Sequence, residues 1–266
     1  MPQGKVRHIV SLSGGKDSTA LAIYLRDRIP DLEYVFCDTR KELEETYSYL
    51  HKLQAYLGEP VKYLQDDRGF DHYLALRHGY LPSPNDRWCT QYLKLRPFGN
   101  EVGNDEVVNY IGIRADEDRE GYISHRPNIT AAYPFRDAGI AKADVIRILQ
   151  RSGLGLPEYY RWRSRSGCYF CFFQQKIEWV GLFENHPSLF RVAQDYERQR
   201  PLQAKQFTWS HGETLEELAH PGRIAEIKAE HERRSRWHKR PAPGRTLMEI
   251  LDDEDGTDQA CLICSL

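Results

Sequence analysis

Short apolar runs alternate with amphipathic stretches along the first 150 residues. Runs typical of buried strands occupy residues 7–12, 33–36, 61–64 and 106–113. Stretches with apolar positions at helical spacing occupy residues 19–25, 43–57 and 142–151. Strands that alternate with helices in this order favour parallel pairing, because each helix returns the chain to the same end of the sheet. The pattern therefore predicts an α/β fold over residues 1–150, built on a Rossmann-like, doubly wound parallel sheet.

The pattern becomes mainly helical after residue 150. Amphipathic stretches separated by prolines occupy residues 174–184, 188–198 and 223–236. Residues 252–258 are rich in Asp and Gly, and such a segment buries too little apolar surface to pack. We therefore predict a helical region over residues 151–251, followed by a mobile acidic tail over residues 252–266 that carries Cys261 and Cys264.

Amino-acid composition and net charge limit the kinds of protein this chain can be. The 266 residues are 40% hydrophobic, which is enough for one sizeable core, and the net charge of −2 gives no global attraction to a polyanion. Any nucleic-acid contact must therefore be local. The first residues run into a short strand rather than a long apolar leader, and no stretch approaches the length of a membrane span. We expect a cytoplasmic protein that does not enter a membrane.

The junction between the first predicted strand and the first predicted helix carries a glycine-containing loop. Two glycines let a phosphate approach the backbone, and the start of a helix offers N–H groups and a positive dipole end. The spacing fits neither the P-loop of kinases and GTPases nor the dinucleotide fingerprint. The alternative is a simple turn into a helix. We predict a polyphosphate site at these residues, called the phosphate loop below: Ser13, Gly14, Gly15, Lys16, Asp17 and Ser18.

This hexapeptide resembles the PP-loop of the ATP pyrophosphatase and 3′-phosphoadenylyl sulfate (PAPS) reductase superfamily. Members of the superfamily bind ATP or PAPS, so the resemblance implies an adenine nucleotide as ligand. It further implies that Gly14, Gly15 and Ser18 hold phosphate oxygens and that Lys16 supplies positive charge. Asp17 would orient the loop or a Mg²⁺ ion. Lys16 and Asp17 are accordingly predicted to be catalytic.

A second motif of the superfamily follows the second predicted strand. Phe36-Cys37-Asp38-Thr39 is similar to the family segment whose strand end faces the adenosine. The resemblance implies that Asp38 and Thr39 bind the nucleotide. Arg40 stands where the family usually has glycine.

A third motif, Gly112-Ile113-Arg114-Ala115-Asp116-Glu117, resembles the family's Gly-x-Arg-x-x-Glu. In the family its arginine faces the anionic groups of the nucleotide. The resemblance implies that Gly112, Arg114 and Glu117 belong to the nucleotide site and that Arg114 takes part in catalysis. Without the family, residues 114–120 are a solvated charge run.

The six cysteines include two Cys-x-x-Cys pairs, which indicates metal or redox chemistry more than a disulfide framework. Cys168 and Cys171 place two thiols within one turn, enough to bind a soft metal. Cys89 lies in a segment, Arg87-Trp88-Cys89-Thr90, similar to one shared by the reductases and the sulfur-inserting enzymes of DNA phosphorothioation.

The likeness to adenylyl sulfate (APS) reductases, which carry a 4Fe-4S cluster, covers three of the four cluster ligands. It implies that Cys89, Cys168 and Cys171 bind iron. The fourth position is completed by another cysteine or stays open to sulfide or substrate. Structural zinc and metal-free thiols are the alternatives. The candidates for the fourth ligand are Cys37, which is placed first, Cys261 and Cys264.

Aromatic residues alternate with arginines just before Cys168. Tyr159 and Tyr160 precede Arg161, Arg163 and Arg165. Such a set can hold a phosphate or a flipped base, and it is equally typical of a solvated face.

Three functions fit these features. In the favoured one, ATP adenylates an acceptor with release of pyrophosphate, and iron–sulfur-assisted sulfur transfer follows, with a sulfur donor such as a cysteine desulfurase. The acceptor is a DNA backbone, a tRNA base or a small molecule. In the second, the chain is an APS or PAPS reductase in which Cys261 or Cys264 of the tail attacks the sulfonyl sulfur. In the third, it is a nucleotide-sensing module without turnover.

Overall fold

A parallel five-stranded sheet forms the centre of the computed structural model, which describes residues 5–119, 121, 124–199 and 208–238. Its strand order is β3-β2-β1-β4-β5, and every neighbouring pair is parallel. The predicted α/β class with a Rossmann-like sheet is confirmed. The strands are β1 (Arg7–Leu12), β2 (Leu32–Cys37), β3 (Val61–Leu64), β4 (Val107–Tyr110) and β5 (Ile129–Ala132).

Helices connect the strands and form most of the described part of the chain after β5. Those before β5 are α1 (Lys16–Arg26), α2 (Glu44–Leu57), α3 (Gly69–Leu76), α4 (Trp88–Thr90) and α5 (Arg96–Val102), the last two joined by a π-helical turn, Gln91–Leu95. Those after β5 are α6 (Pro134–Asp137), α7 (Lys142–Ser152), α8 (Lys176–Asn185), α9 (Pro187–Arg198), α10 (Leu215–Leu218) and α11 (Pro221–His238), with a 3₁₀ turn at Glu158–Arg161.

β1 lies in the middle of the sheet because its residues are buried on both faces. Val10 and Leu12 pack with α1, α2 and α7 in one core, whereas Ile9 packs with Phe98 and Val102 of α5 in another. The strand was predicted from its apolar residues, which include the consecutive pair Ile9 and Val10 and therefore fall on both faces, as is typical of a parallel strand covered on both sides.

The sheet has a topological switch point between β1 and β4. From β1 the chain runs through α1 to β2 on one side, whereas β4 and β5 lie on the other side. In open α/β sheets of this kind, ligands bind outside the carboxyl ends of the strands at the switch point. The phosphate loop follows β1, and the segment beginning with Ile111 follows β4. Both motifs therefore lie at the edge where a ligand is expected.

Several elements were not predicted from the sequence, among them the helices α3, α6 and α10. β5 is short and only partly buried, so no apolar run indicates it. The α4–α5 helical segment follows a polar, proline-containing stretch and includes Pro97, which weakens the helical pattern, although Pro is well accepted in the first turn of α5.

The helical part packs on the sheet domain through a third core, rich in aromatic side chains. It joins Phe70 of α3 and Trp88 of α4 to Trp179 of α8, Tyr196 of α9 and Trp209. Packing therefore crosses residue 150, and the predicted division into residues 1–150 and 151–251 stays a prediction. The predicted tail, residues 252–266, lies outside the described residues. Within the described helices, none is long and apolar enough to cross a bilayer.

Candidate active site

Backbone geometry at the phosphate loop requires glycine. Gly14 has a φ of +73°, and a Cβ there would lie 2.5 Å from Cγ2 of Thr46. Gly15 is extended, and α1 begins at Lys16. The loop thus turns sharply from a buried strand into a helix start, which is the geometry that the sequence predicted for a polyphosphate site.

Hydrogen bonds of two serine hydroxyls, Ser13 and Ser18, join the two ends of the phosphate loop. The Ser13 amide donates to Oγ of Ser18 at 3.0 Å, the two serine hydroxyls are 3.0 Å apart, and Ser18 Oγ donates to the Gly15 carbonyl at 3.3 Å. Ser18 therefore holds the loop in shape. Its predicted contact with a phosphate oxygen would be a second role for the same hydroxyl.

The end of β4 brings an arginine to the loop. A Cβ on Gly112 would lie 3.1 Å from the carbonyl of Asp17, so a larger residue would push the two segments apart. Buried Arg114 lies 3.0 Å from Oδ1 of Asp17 and 2.9 Å from the buried carboxylate of Glu117. Burial alone would raise the pKa of Asp17, but the charges of Lys16 and Arg114 outweigh it and hold the pKa below its ordinary value. Asp17 is therefore ionised at neutral pH.

Asp38 at the end of β2 is saturated by donors. It accepts hydrogen bonds from the Arg40 amide at 2.7 Å, the Tyr47 hydroxyl at 2.7 Å and the Gln65 side-chain amide at 2.6 Å. Arg40 has a φ of +58°, so the residue at the family's glycine position adopts a backbone conformation that favours glycine. In this structure Asp38 shapes the strand end, and its predicted contact with the nucleotide stays a prediction.

One apolar cavity brings together the three cysteines predicted to bind iron. Cys89, Cys168 and Cys171 share its wall with Thr39 and Lys94. We call it the cysteine cavity. The remaining lining residues are mostly apolar: Phe70, Pro82, Thr90, Leu93, Gly167, Phe170, Phe172 and Phe173.

Cys168 makes two polar contacts in this wall. Its Sγ lies 3.0 Å from Oγ1 of Thr39 and donates to Glu42 at 3.6 Å. Burial and the nearby Glu42 charge raise the pKa of Cys168 well above its usual value, with Lys94 opposing the shift. Cys168 is thus a neutral thiol here, and binding a metal would release its proton.

Cys37 contacts a residue of the cavity wall but does not itself line the cavity. It is 2% exposed, packs in the core beneath the sheet, and its thiol donates to the Lys94 carbonyl at 3.6 Å. Burial raises its pKa to about 12. Cys261 and Cys264 lie outside the described residues, and among those that are described no three His, Cys, Asp or Glu side chains are arranged around a single metal ion.

A wall shared by the phosphate loop and the cysteine cavity was missed by the sequence reasoning. Tyr159 donates to the Gly14 carbonyl at 2.8 Å, and the Lys16 amide donates to the Tyr160 hydroxyl at 3.2 Å. Ser166 donates to Ser13 Oγ at 3.1 Å. Residues 159–168, called the shared wall, thus run directly from the phosphate loop to the Cys-x-x-Cys pair. No sequence pattern links residues that lie so far apart in the chain.

Comparison with known proteins agrees with the motifs. Residues 7–131 match the model of the phosphoadenosine phosphosulfate reductase domain family. An uncharacterized protein of Methanocaldococcus jannaschii is 27% identical over 177 residues, 61% of this chain and 35% of that protein. A second one from the same organism is 28% identical, over 68% of this chain and 45% of its own length. The chain thus spans less than half of these two relatives. An uncharacterized nin region protein of Escherichia phage lambda is 24% identical over 82% of each chain.

Two solved structures are also similar. A phosphoadenylyl-sulfate reductase from Candida auris, crystallised as a phosphate complex, has 14% identity and a TM-score of 0.49, over 62% of this chain and 82% of that one. The U34-tRNA thiolase NcsA from Methanococcus maripaludis, with its 4Fe-4S cluster, has 17% identity and a TM-score of 0.43, over 74% of this chain and 72% of that one. Over residues 7–131 the chain is similar to the phosphoadenosine phosphosulfate reductase domain family, and this match confirms the resemblance that the phosphate loop indicated.

Proposed function

We propose that this protein is an ATP pyrophosphatase that adenylates an acceptor and then passes sulfur to it with the help of an iron–sulfur cluster. The observation that carries the proposal is the shared wall. It places the phosphate loop at one end and Cys168 at the other, so a nucleotide and a sulfur site would be direct neighbours.

Charge around the phosphate loop supports the nucleotide half of the proposal. The helix start and Lys16 attract a polyphosphate. Arg114 is paired with Asp17, Asp116 and Glu117, so it holds the Asp17 carboxylate at the switch point. Mg²⁺ in such sites is held by one or two carboxylates together with substrate phosphates and water. Ionised Asp17 beside the loop fits that requirement.

The chemistry of the donors supports the cluster. Three thiols and a largely apolar wall suit an iron–sulfur cluster, with Cys89, Cys168 and Cys171 as its ligands. Zinc needs four ligands that converge on one point, whereas each cysteine of a 4Fe-4S cluster binds a different iron. Thiols placed around a cavity therefore favour the cluster over zinc. When bound, the cluster would supply an iron that can carry sulfide.

The reaction divides into two displacements. In the first, a nucleophilic atom of the acceptor attacks the α-phosphorus of ATP, the bond to the bridging oxygen breaks, and pyrophosphate leaves. Lys16 and the amides of the loop would stabilise the charge that develops on pyrophosphate. In the second, a sulfur nucleophile forms a bond to the activated atom and AMP leaves. A cysteine desulfurase is one partner that would supply the sulfur as a persulfide, and a thiol reductant would then cleave the S–S bond that still joins the transferred sulfur to its donor.

The family match favours a second candidate, an APS or PAPS reductase. There a tail thiolate, from Cys261 or Cys264, would attack the sulfonyl sulfur and release the nucleotide, and a thiol reductant would then release sulfite. A nucleotide-sensing module that lacks turnover is the third candidate.

Anaerobically purified protein tests the three functions together. We expect iron and acid-labile sulfide in the wild type, and release of AMP and pyrophosphate from ATP when the acceptor is added. A chain truncated after Asp258 should retain this ATP cleavage, because the nucleophilic tail belongs only to the reductase mechanism. Sulfite formed from PAPS by the full chain but lost on truncation would establish the reductase instead. Nucleotide binding with neither product would leave the sensing module.

A further inference from the structure

An aromatic ring of the cysteine cavity is flanked by two arginines. Phe173 lines the cavity, and the guanidinium carbons of Arg87 and Arg165 each lie 5.1 Å from the centroid of its ring. The two cations are therefore at most twice that distance apart. Stacking on one ring fixes the direction in which each guanidinium presents its N–H groups.

Neither arginine is neutralised by a carboxylate among the described residues. Arg87 donates through Nε to the Pro84 carbonyl, and Nη2 of Arg165 is buried without a hydrogen-bond partner. The neighbouring arginines have other surroundings. Arg163 is 2% exposed and, although its Nε is also buried without a partner, its two Nη groups donate to the carbonyls of the Gly167–Cys168 turn, so its role is structural. Arg161 is exposed.

A buried guanidinium donor that lacks an acceptor is destabilising and calls for an occupant. The planar fork of arginine matches the oxygens of a phosphate in a two-point contact. Two such cations stacked on one ring would attract a tetrahedral oxyanion. This site is distinct from the phosphate loop, which uses backbone amides and Lys16.

We propose that Arg87 and Arg165 bind a phosphate group of the acceptor, so that the acceptor is a phosphate-bearing molecule whose reacting atom is held at the cysteine cavity. This inference rests on the proposed function and narrows its substrate class. The phosphate belongs either to a nucleic-acid backbone or to a small phosphorylated molecule, since both present the same oxygens to the two arginines.

Binding to the full-length protein, with the phosphate loop filled by α,β-methylene ATP, tests the site. The probes are a short fluorescein-labelled single-stranded oligonucleotide and inorganic phosphate. Arg165→Gln and Arg87→Gln should each weaken binding by roughly tenfold, because each removes a charged two-point contact. Arg165→Lys should restore only part of it. For the oligonucleotide, each substitution should also reduce the slope of log affinity against log salt concentration by about one, the change expected when one phosphate contact is lost. Arg161→Gln, in the same segment, is the matched control and should bind like the wild type.

The outcomes separate the two proposals. Loss of oligonucleotide binding in the arginine variants supports a nucleic-acid phosphate, whereas arginine-dependent binding of inorganic phosphate alone supports a small acceptor. Equal binding by Arg165→Gln and the wild type, or no binding of either probe, overturns the phosphate site. Unchanged affinity for the ATP analogue shows that each variant is folded. If arginine-dependent binding persists but ATP is never cleaved, the site stands and the proposed function fails.

Discussion

The contact between the phosphate loop and the shared wall can be tested by crowding it. In Gly15→Ala the new Cβ would lie 2.7 Å from Oγ and 3.1 Å from Cβ of Ser166, and 3.3 Å from the Tyr160 hydroxyl. The backbone at Gly15 is extended with a φ of −98°, so alanine is allowed there and any loss of stability comes from crowding.

The magnitude follows from two opposing effects. Overpacking of a well-packed position destabilises by about 1–3 kcal/mol. Replacing glycine by alanine stabilises by about 0.4–1 kcal/mol, because the unfolded chain loses freedom. We therefore expect Gly15→Ala to lower the free energy of unfolding by about 1–2 kcal/mol. Ser166→Gly in the same chain removes both of the closest atoms and should restore most of this loss.

Denaturant unfolding of the four proteins in this double-mutant cycle measures the coupling between residues 15 and 166. Gly222→Ala is the matched control, because its nearest neighbour would be an ordinary 3.6 Å away. That variant should be at least as stable as the wild type, since alanine favours helix. Wild-type stability of Gly15→Ala, or no recovery with Ser166→Gly, would refute the contact between loop and wall.

Three further predictions follow from the site. Tyr160→Phe removes the hydroxyl to which the Lys16 amide donates, so a phosphate oxygen can accept that hydrogen bond instead. ATP binding measured by calorimetry should become roughly two- to tenfold tighter, the contribution of one neutral hydrogen bond. Weaker binding would instead make the hydroxyl a ligand of the nucleotide. Replacing any one cysteine of the cysteine cavity by alanine should abolish the iron content and the visible absorbance of anaerobically purified protein. Cys37→Ala is the control and should retain both. Loss of iron in Cys37→Ala would make Cys37 a ligand. The pKa of Asp17 is lower in the folded than in the unfolded protein, so its ionised form stabilises the fold above about pH 4, and this stabilisation is lost as the pH falls through the folded pKa. In Asp17→Asn the free energy of unfolding should therefore fall less steeply as the pH is lowered. An unchanged acid dependence would contradict the ion pair with Arg114.

The sequence alone determined the features that depend on neighbouring residues. A buried apolar run followed by two glycines and a helix start specifies the phosphate loop locally, and the alternation of strands and helices specifies the parallel sheet. The motif after β4 was assigned to the same site only through its resemblance to the family's Gly-x-Arg-x-x-Glu; β1 and β4 are neighbouring parallel strands, so the two motifs do end at one edge of the sheet. The strand β5 and the helical segment around Pro97 could not be predicted, because neither shows a clear period of apolar and polar residues.

The tertiary structure decided which distant residues meet. Ser166 and Tyr160 reach the phosphate loop, and Cys89 joins Cys168 at one cavity, through packing of the aromatic core. The same packing leaves Cys37 in a core beneath the sheet, although its motif is adjacent in sequence to nucleotide-site candidates. Local periodicity shows which face of an element is buried. It carries no information on which partner covers that face, because many pairings bury similar apolar area and only the complete set of contacts distinguishes them.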